Sequence, residues 1–130
     1  MLITGSGSGI GRDCVAALAE RGHKVYATTH REDQAARLKC DLADRGGTIA
    51  AFKLDITDAQ DRATAADLPI DVLINNAAVG DTGSLAEVPL DRVRACFETN
   101  LFATLALTQT CLKGMIGRGS GTIINITSSA

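Results

Sequence analysis

The first twenty residues constrain the fold most. Met1-Leu2-Ile3 is apolar and too short for a helix, so it reads as the end of a buried strand. Thr4-Gly5-Ser6-Gly7-Ser8-Gly9-Ile10-Gly11 follows, and from Arg12 Val15, Leu18 and Ala19 recur at helical spacing. Strand, glycine turn and helix start, in that order, are the context a dinucleotide fingerprint needs. Gly5 suits a tight turn, Gly9 leaves room for a pyrophosphate, and Gly11 lets the helix pack closely. The N–H groups of the turn and the positive helix end then face the phosphate charge. A plain Gly/Ser loop is the competing reading of the same residues.

The next strand, Lys24 to Thr29, completes a βαβ unit, which implies a parallel pair with a right-handed crossover. An NAD-binding unit carries an acidic residue where this strand ends. Here the strand ends at Thr29, followed by His30 and Arg31, with Glu32 and Asp33 just beyond. An uncharged Thr and a basic pair suit a 2′-phosphate better than a bare hydroxyl, so NADP is expected, with NAD still open. The plainer alternative makes His30 and Arg31 solvated loop residues, with Glu32 or Asp33 capping the next helix.

That helix is expected to bury Ala36, Leu38 or Lys39, and Leu42. A third strand, Thr48 to Leu54, leads to Asp55-Ile56-Thr57-Asp58, where Asp55 or a neighbour can cap a helix of about two turns. Asp71-Val72-Leu73-Ile74 is a fourth strand with almost no polar face, as in the centre of a doubly covered sheet. It runs into Asn75-Asn76-Ala77-Ala78. A long helix over 89–118 starts at Pro89 and is free of charge from Thr99 to Leu112, which implies burial on more than one side. Asn100 lies inside it, where an amide needs partners. Thr122 to Ile126 is a fifth strand, ending at Thr127-Ser128-Ser129-Ala130.

The run Thr-Gly-x-x-x-Gly-Ile-Gly, the Asn-Asn-Ala-Ala strand end and the final Thr-Ser-Ser resemble short-chain dehydrogenase/reductase motifs, in the family's order. The resemblance implies an α/β fold: a three-layer αβα Rossmann-type doubly wound parallel sheet, here incomplete at about five strands, with 1–130 as its NAD(P)-binding domain. It assigns cofactor contacts to Gly5, Ser6, Ser8, Gly9, Ile10 and Gly11, to Thr29, His30 and Arg31, to Asp55 and Ile56, and to Asn75 and Ala77. Asn100 matches the family's catalytic Asn in its Thr-Asn-Leu-Phe context. Ser128, with Ser129 the near rival, matches the serine that positions a carbonyl or alcohol substrate.

Two departures stand out. Ala78 replaces the final Gly of the family's Asn-Asn-Ala-Gly, and no Tyr-x-x-x-Lys occurs in these 130 residues, Tyr26 being the one tyrosine. The resemblance therefore covers only about the first half of a family member. It implies an oxidoreductase moving hydride between nicotinamide and a small-molecule carbonyl or alcohol, inactive as this chain alone. A non-catalytic dinucleotide-binding or truncated interaction module is the alternative. Family members commonly use the 89–118 helix in dimerisation, so a homo-oligomer is expected.

Composition narrows the partners. A net charge of −2 with scattered Lys and Arg leaves no nucleic-acid footprint, and aromatics are too few for base stacking. No apolar run reaches membrane-span length, and the cysteines (14, 40, 96, 111) show no C-x-x-C or metal spacing. Reduced thiols in a cytoplasmic protein are the expected state.

Overall fold

The computed structural model describes residues 1–128, so Ser129 lies outside the described residues. Five parallel strands form one sheet in the order β3-β2-β1-β4-β5: Leu2–Ile3, Lys24–Thr29, Thr48–Lys53, Val72–Asn75 and Thr122–Asn125 are β1 to β5 in chain order. Leu2 pairs with Tyr26 on one side and Leu73 on the other, and Ile3 with Ala27 and Ile74. Because strand side chains alternate, Leu2, Tyr26 and Leu73 enter one core while Ile3, Ala27 and Ile74 enter a second. Both faces are covered, which is why β1 and β4 read as unbroken apolar runs.

Helices α1 (Gly9–Glu20) and α2 (Glu32–Asp41) cover the second core with Val15, Ala19 and Leu38. The opposite face takes α3 (Ala59–Thr64), a 3-10 turn at Ala65–Asp67, and α5 (Thr104–Arg118) through Leu107, Cys111 and Met115. The chain leaves β1 toward β2 and β3 on one side, then returns to β4 on the other. A crevice therefore opens at the carboxyl ends of β1 and β4, where the strand order switches direction.

Several boundaries differ from the sequence reading. Helix α1 begins at Gly9 rather than Arg12, so the last glycines of the turn are already its first turn. In α2 the buried residues are Ala35, Leu38 and the following Leu42, and Ala36 is exposed. Arg31 occupies the N-cap of α2 and no side chain caps it, so neither Glu32 nor Asp33 does so; both lie in its first turn. Pro89 is likewise the N-cap of α4 (Leu90–Phe97), one position before its expected place. The short α3 leaves the sheet edge whole, since β3 pairs with β2 over its full length.

The 89–118 helix is continuous but not uniform. Between α4 and α5, Glu98–Ala103 winds as a π-helix, and Thr104 Oγ1 donates to the Thr99 carbonyl at 3.1 Å. Only one side of this long element is buried, by Ala103, Leu107, Cys111 and Met115. Phe97, Leu101, Phe102 and Leu105 are each at least half exposed, and Ile116 is 70% exposed. The expectation of burial on several sides therefore does not hold within this chain.

Candidate functional site

The crevice at the switch point is a cleft of about 530 Å³. The glycine turn forms its floor. Gly5 has φ +65° and Gly9 has φ +52°, both left-handed positions that favour glycine. A Cβ on Gly11 would lie 2.4 Å from the Gly5 carbonyl oxygen and 2.5 Å from Asn76 Nδ2. Gly11 thus serves the packing of the turn on itself and on the end of β4. Around Gly9 a Cβ would meet nothing within 4 Å, so its surroundings are open.

Helix α1 starts at this turn without a side-chain cap and without an acidic residue in its first turn. Its first intrahelical bond is Arg12 N to the Ser8 carbonyl, at 3.3 Å. The N–H groups of Gly9, Ile10 and Gly11 therefore precede the helix ladder and add to the positive helix end. Ser6 is fully buried: its hydroxyl donates to the Ile3 carbonyl at 3.0 Å and its N–H to the Thr28 carbonyl at 2.8 Å. It shapes the turn from below.

Asn76 joins the turn to β4. Its Nδ2 donates to the carbonyls of Thr4 and Gly5 at 3.0 and 3.1 Å. The Thr4 hydroxyl accepts from the N–H groups of Asn76 and Ala77, both at 3.0 Å. Asn75 points elsewhere, donating from Nδ2 to Thr108 Oγ1 at 3.0 Å and to Asn125 Oδ1 at 2.9 Å. It ties β4 to β5 and α5. Ala78 has no left-handed φ, so the exchange of glycine for alanine there carries no backbone strain.

The far end of the cleft is lined by Thr29, His30, Gln34, Asp55, Ile56 and Thr57. Asp55 is not a helix cap. Its Oδ1 accepts from the N–H and hydroxyl of Thr57 at 2.9 and 2.7 Å, while Asp58 caps α3 through Gln60 N and Asp61 N. The loop is held from below by Asp61, whose Oδ2 accepts from Asp55 N at 2.7 Å and Lys53 Nζ at 2.6 Å. These bonds hold the Asp61 carboxyl below its ordinary range.

Of the residues assigned to the cofactor by resemblance, Gly5, Ser8, Ile10, Gly11, Thr29, His30, Asp55, Ile56 and Ala77 line this cleft. Ser6, Gly9, Arg31 and Asn75 are not on its wall, Ser6 and Gly9 belonging to the turn itself. Gly7, Gln34, Thr57, Asn76, Ala78 and Thr99 also line it, although the resemblance assigned them no cofactor contact. Asn76 was legible in principle, since an amide beside an apolar strand end needs carbonyl partners, and the glycine turn offers two.

A second cleft of about 670 Å³ shares the Ala77, Ala78 and Val79 wall with the first. It is lined by both remaining candidates, Asn100 and Ser128, with Asn125 and Thr127 beside Ser128. Asn100 sits in the π-helix segment and pairs with Val79, Nδ2 donating to the carbonyl at 2.8 Å and Oδ1 accepting from the N–H at 2.9 Å. π-Turns inside helices are frequent at functional sites. Among the described residues no ionisable side chain lines this second cleft. No group of His, Cys, Asp and Glu suited to a metal ion occurs among them either.

The family model of short chain dehydrogenase matches residues 1–130. The chain belongs to the short-chain dehydrogenase family. This short-chain dehydrogenase chain is 37% identical to the L-xylulose reductase of Mus musculus, over 99% of its own length and 52% of the relative's. An actinorhodin polyketide ketoreductase solved with NADPH superposes with a TM-score of 0.92 at 30% identity, covering 98% of this chain and 52% of that one. A 7α-hydroxysteroid dehydrogenase solved with NADH and a 7-oxo bile acid gives 0.88 at 31%, with 98% and 52% covered. The chain thus spans about half the length of the curated relatives it matches.

No helix among the described residues is long and apolar enough to cross a membrane.

Proposed function

We propose that this chain is the dinucleotide-binding part of an NAD(P)-dependent oxidoreductase that interconverts a carbonyl and an alcohol. The observation carrying the reading is the first cleft, which runs from an uncapped helix N-terminus to Asp55 and shares its Ala77, Ala78 and Val79 wall with a second cleft lined by Asn100 and Ser128. The residues fit such a cofactor. N–H groups of the turn and of α1 bind the pyrophosphate, and Gly9 leaves room for it. Asp55 accepts from the adenine amino group beside Ile56, and Ala77, with no side chain beyond Cβ, leaves room for a ribose. The bound nicotinamide supplies the hydride, and the chain orients it.

Chemistry at the substrate oxygen falls to the second cleft. Ser128 hydrogen-bonds the substrate oxygen, and Asn100 holds the helix and the Val79 loop in register around it. Relatives solved with NADPH and with NADH support both cofactors, and Thr29, His30 and the absence of an acidic strand end favour NADP. Substrates are small molecules in this reading, as a sugar reductase and a steroid dehydrogenase among the relatives suggest. Localisation in the cytoplasm and assembly through the exposed face of the 89–118 helix complete it.

Titration of the protein with NADPH and NADH, followed by reduced-nicotinamide fluorescence, tests the reading. Saturable binding of either dinucleotide is expected, and it should weaken on Gly9→Ala. Absence of binding by a folded protein would overturn it. The second reading, a dinucleotide-binding module without catalysis, draws on the lack of an ionisable group in the second cleft. It predicts the same binding with no turnover in the complete protein.

A further inference from the structure

Arg31 is the strongest candidate for contacting a 2′-phosphate by charge, yet it does not line the cleft. Its Nε donates to Asp33 Oδ1 at 2.7 Å, in a pair exposed on both sides. The backbone of Arg31 is fixed as well. Its carbonyl accepts from the Thr29 hydroxyl at 2.7 Å and from Ala35 N at 3.2 Å, and it forms the N-cap of α2. Only the side chain is left to choose a direction, and Asp33 has it. The Asp33 carboxyl is held below its ordinary range by this bond, so it is ionised throughout the neutral region.

His30 and Asp55 are the only ionisable side chains lining this end of the cleft among the described residues, so no guanidinium or ammonium group reaches it. Gln34 projects there from the first turn of α2, and a Cβ on Gly7 would lie 3.5 Å from its Oε1. An amide both donates and accepts, so it tolerates a ribose hydroxyl or a phosphate without favouring either strongly. Discrimination therefore depends on whether a positive charge reaches this end.

We propose that Asp33 is a positioning residue for cofactor choice: by holding Arg31 off the cleft, it moderates the preference for a 2′-phosphorylated dinucleotide. The inference rests on the dinucleotide reading above. An exposed pair of this kind is weak, so a bound 2′-phosphate competes for Arg31 against Asp33 rather than finding it locked. Glu32, beside Arg31, adds a second carboxylate in the same helix turn but makes no such bond. Asp33 thus acts against the phosphate by occupying Arg31.

Adding an Arg31 substitution shows whether the effect of Asp33 runs through Arg31. NADPH and NADH affinities are measured by fluorescence titration for the wild type, Asp33→Asn, and Asp33→Asn combined with Arg31→Gln. Circular dichroism reports the fold of each. Asp33→Asn is expected to raise NADPH affinity roughly fivefold, the scale of an exposed ion pair, and to leave NADH within about twofold. Adding Arg31→Gln is expected to remove most of that gain. An equal rise for both dinucleotides, no rise for NADPH, or a gain that survives Arg31→Gln would each overturn the proposal. Failure of all three folded proteins to bind either dinucleotide would overturn the function reading too, and binding with an unchanged NADPH/NADH ratio overturns this inference alone.

Discussion

Asn100 and Val79 are joined by both ends of one amide: Nδ2 donates to the Val79 carbonyl at 2.8 Å, and Oδ1 accepts from its N–H at 2.9 Å. The pair fastens the chain leaving β4 to the π-helix segment of the long helix. It also forms the boundary between the two clefts, since Val79 lines both. Asn100→Ala removes both bonds, and because the freed backbone groups reach water the cost should be modest, about 1–2 kcal/mol. The local effect should be larger than the global one. Hydrogen exchange at the Val79 amide is expected to accelerate while the amides of β1 and β4 keep their protection. Unchanged exchange at Val79 would contradict the clamp.

The two glycines at the start of α1 should fail differently. Gly9 has open space around it but a φ of +52°, so Gly9→Ala is strained by roughly 1–2 kcal/mol and sets a methyl where the pyrophosphate is proposed. Gly11 has no space at all, a Cβ lying 2.4 Å from a backbone carbonyl. Gly11→Ala should therefore displace the turn from Asn76 and cost roughly 1–3 kcal/mol in denaturant unfolding. Dinucleotide titration should show loss of binding in both, with the larger fall in unfolding midpoint for Gly11→Ala. Equal midpoints would show that the turn yields easily around Gly11.

How these residues divide their work was only partly legible in the sequence. The strands were, because a doubly covered parallel sheet demands apolar runs such as Val72-Leu73-Ile74, and the βαβ order then dictates a switch point. The start of α1 was not, since glycines that look like turn residues by composition had entered the helix by Gly9. Ala35 rather than Ala36 faces the core because Ala35, Leu38 and Leu42 fall at i, i+3 and i+7 on one helix face. Asn75 and Asn76 are chemically identical in the sequence. Alternation along β4 sends the first to Thr108 and Asn125, and the second to the glycine turn. The π-helix winding has no composition signal; its visible trace is one Asn inside a helical stretch that is uncharged from Thr99 to Leu112.

Cofactor preference should respond to the end of β2. Thr29 is 1% exposed, and its hydroxyl donates to the Arg31 carbonyl at 2.7 Å. In Thr29→Asp a carboxylate replaces that donor and faces the position proposed for the 2′-phosphate. Repulsion should shift the NADPH/NADH affinity ratio toward NADH by about tenfold or more, equivalent to about 1.4 kcal/mol. Wild-type protein that already bound NADH as tightly as NADPH would overturn the premise.

The cysteines should differ sharply in reactivity. Cys111 is buried against the sheet, and desolvation pushes its thiol up to about 11, whereas Cys40 is exposed. At pH 8 its thiolate is scarce by roughly a hundredfold relative to an ordinary thiol, and burial restricts reagent access further. Mass spectrometry after brief alkylation should find Cys40 labelled and Cys111 untouched. The sign of the linked stability follows. The folded thiol ionises later than the unfolded one, so stability is full below an ordinary thiol pKa and is lost as pH rises from about 9 toward 11. Cys111→Ala should flatten that loss while lowering stability at neutral pH. Rapid labelling of Cys111 in the native state would contradict its burial.

The last prediction is that these 130 residues alone do not turn over a carbonyl or alcohol substrate. The second cleft carries the amide of Asn100 and the hydroxyl of Ser128, and no ionisable side chain lines it among the described residues. Neither group exchanges a proton efficiently near neutral pH, because catalytic acids need a pKa close to the working pH. Tyr26 offers no rescue, being buried in the core beneath α5 and lining neither cleft. His30 lines only the first cleft, at the end remote from Ser128, and His23 lines neither. Lacking a general acid should cost roughly 10²–10⁴ in rate, and the second cleft is open beside the exposed Leu101, Leu105 and Ile126, which weakens substrate positioning too. The expected outcome is saturable NADPH binding with no loss of nicotinamide absorbance over a panel of ketones and aldehydes. Turnover at the rate of a complete short-chain dehydrogenase would sink the assignment of roles to Asn100 and Ser128, and would require a proton donor at a position these clefts do not contain.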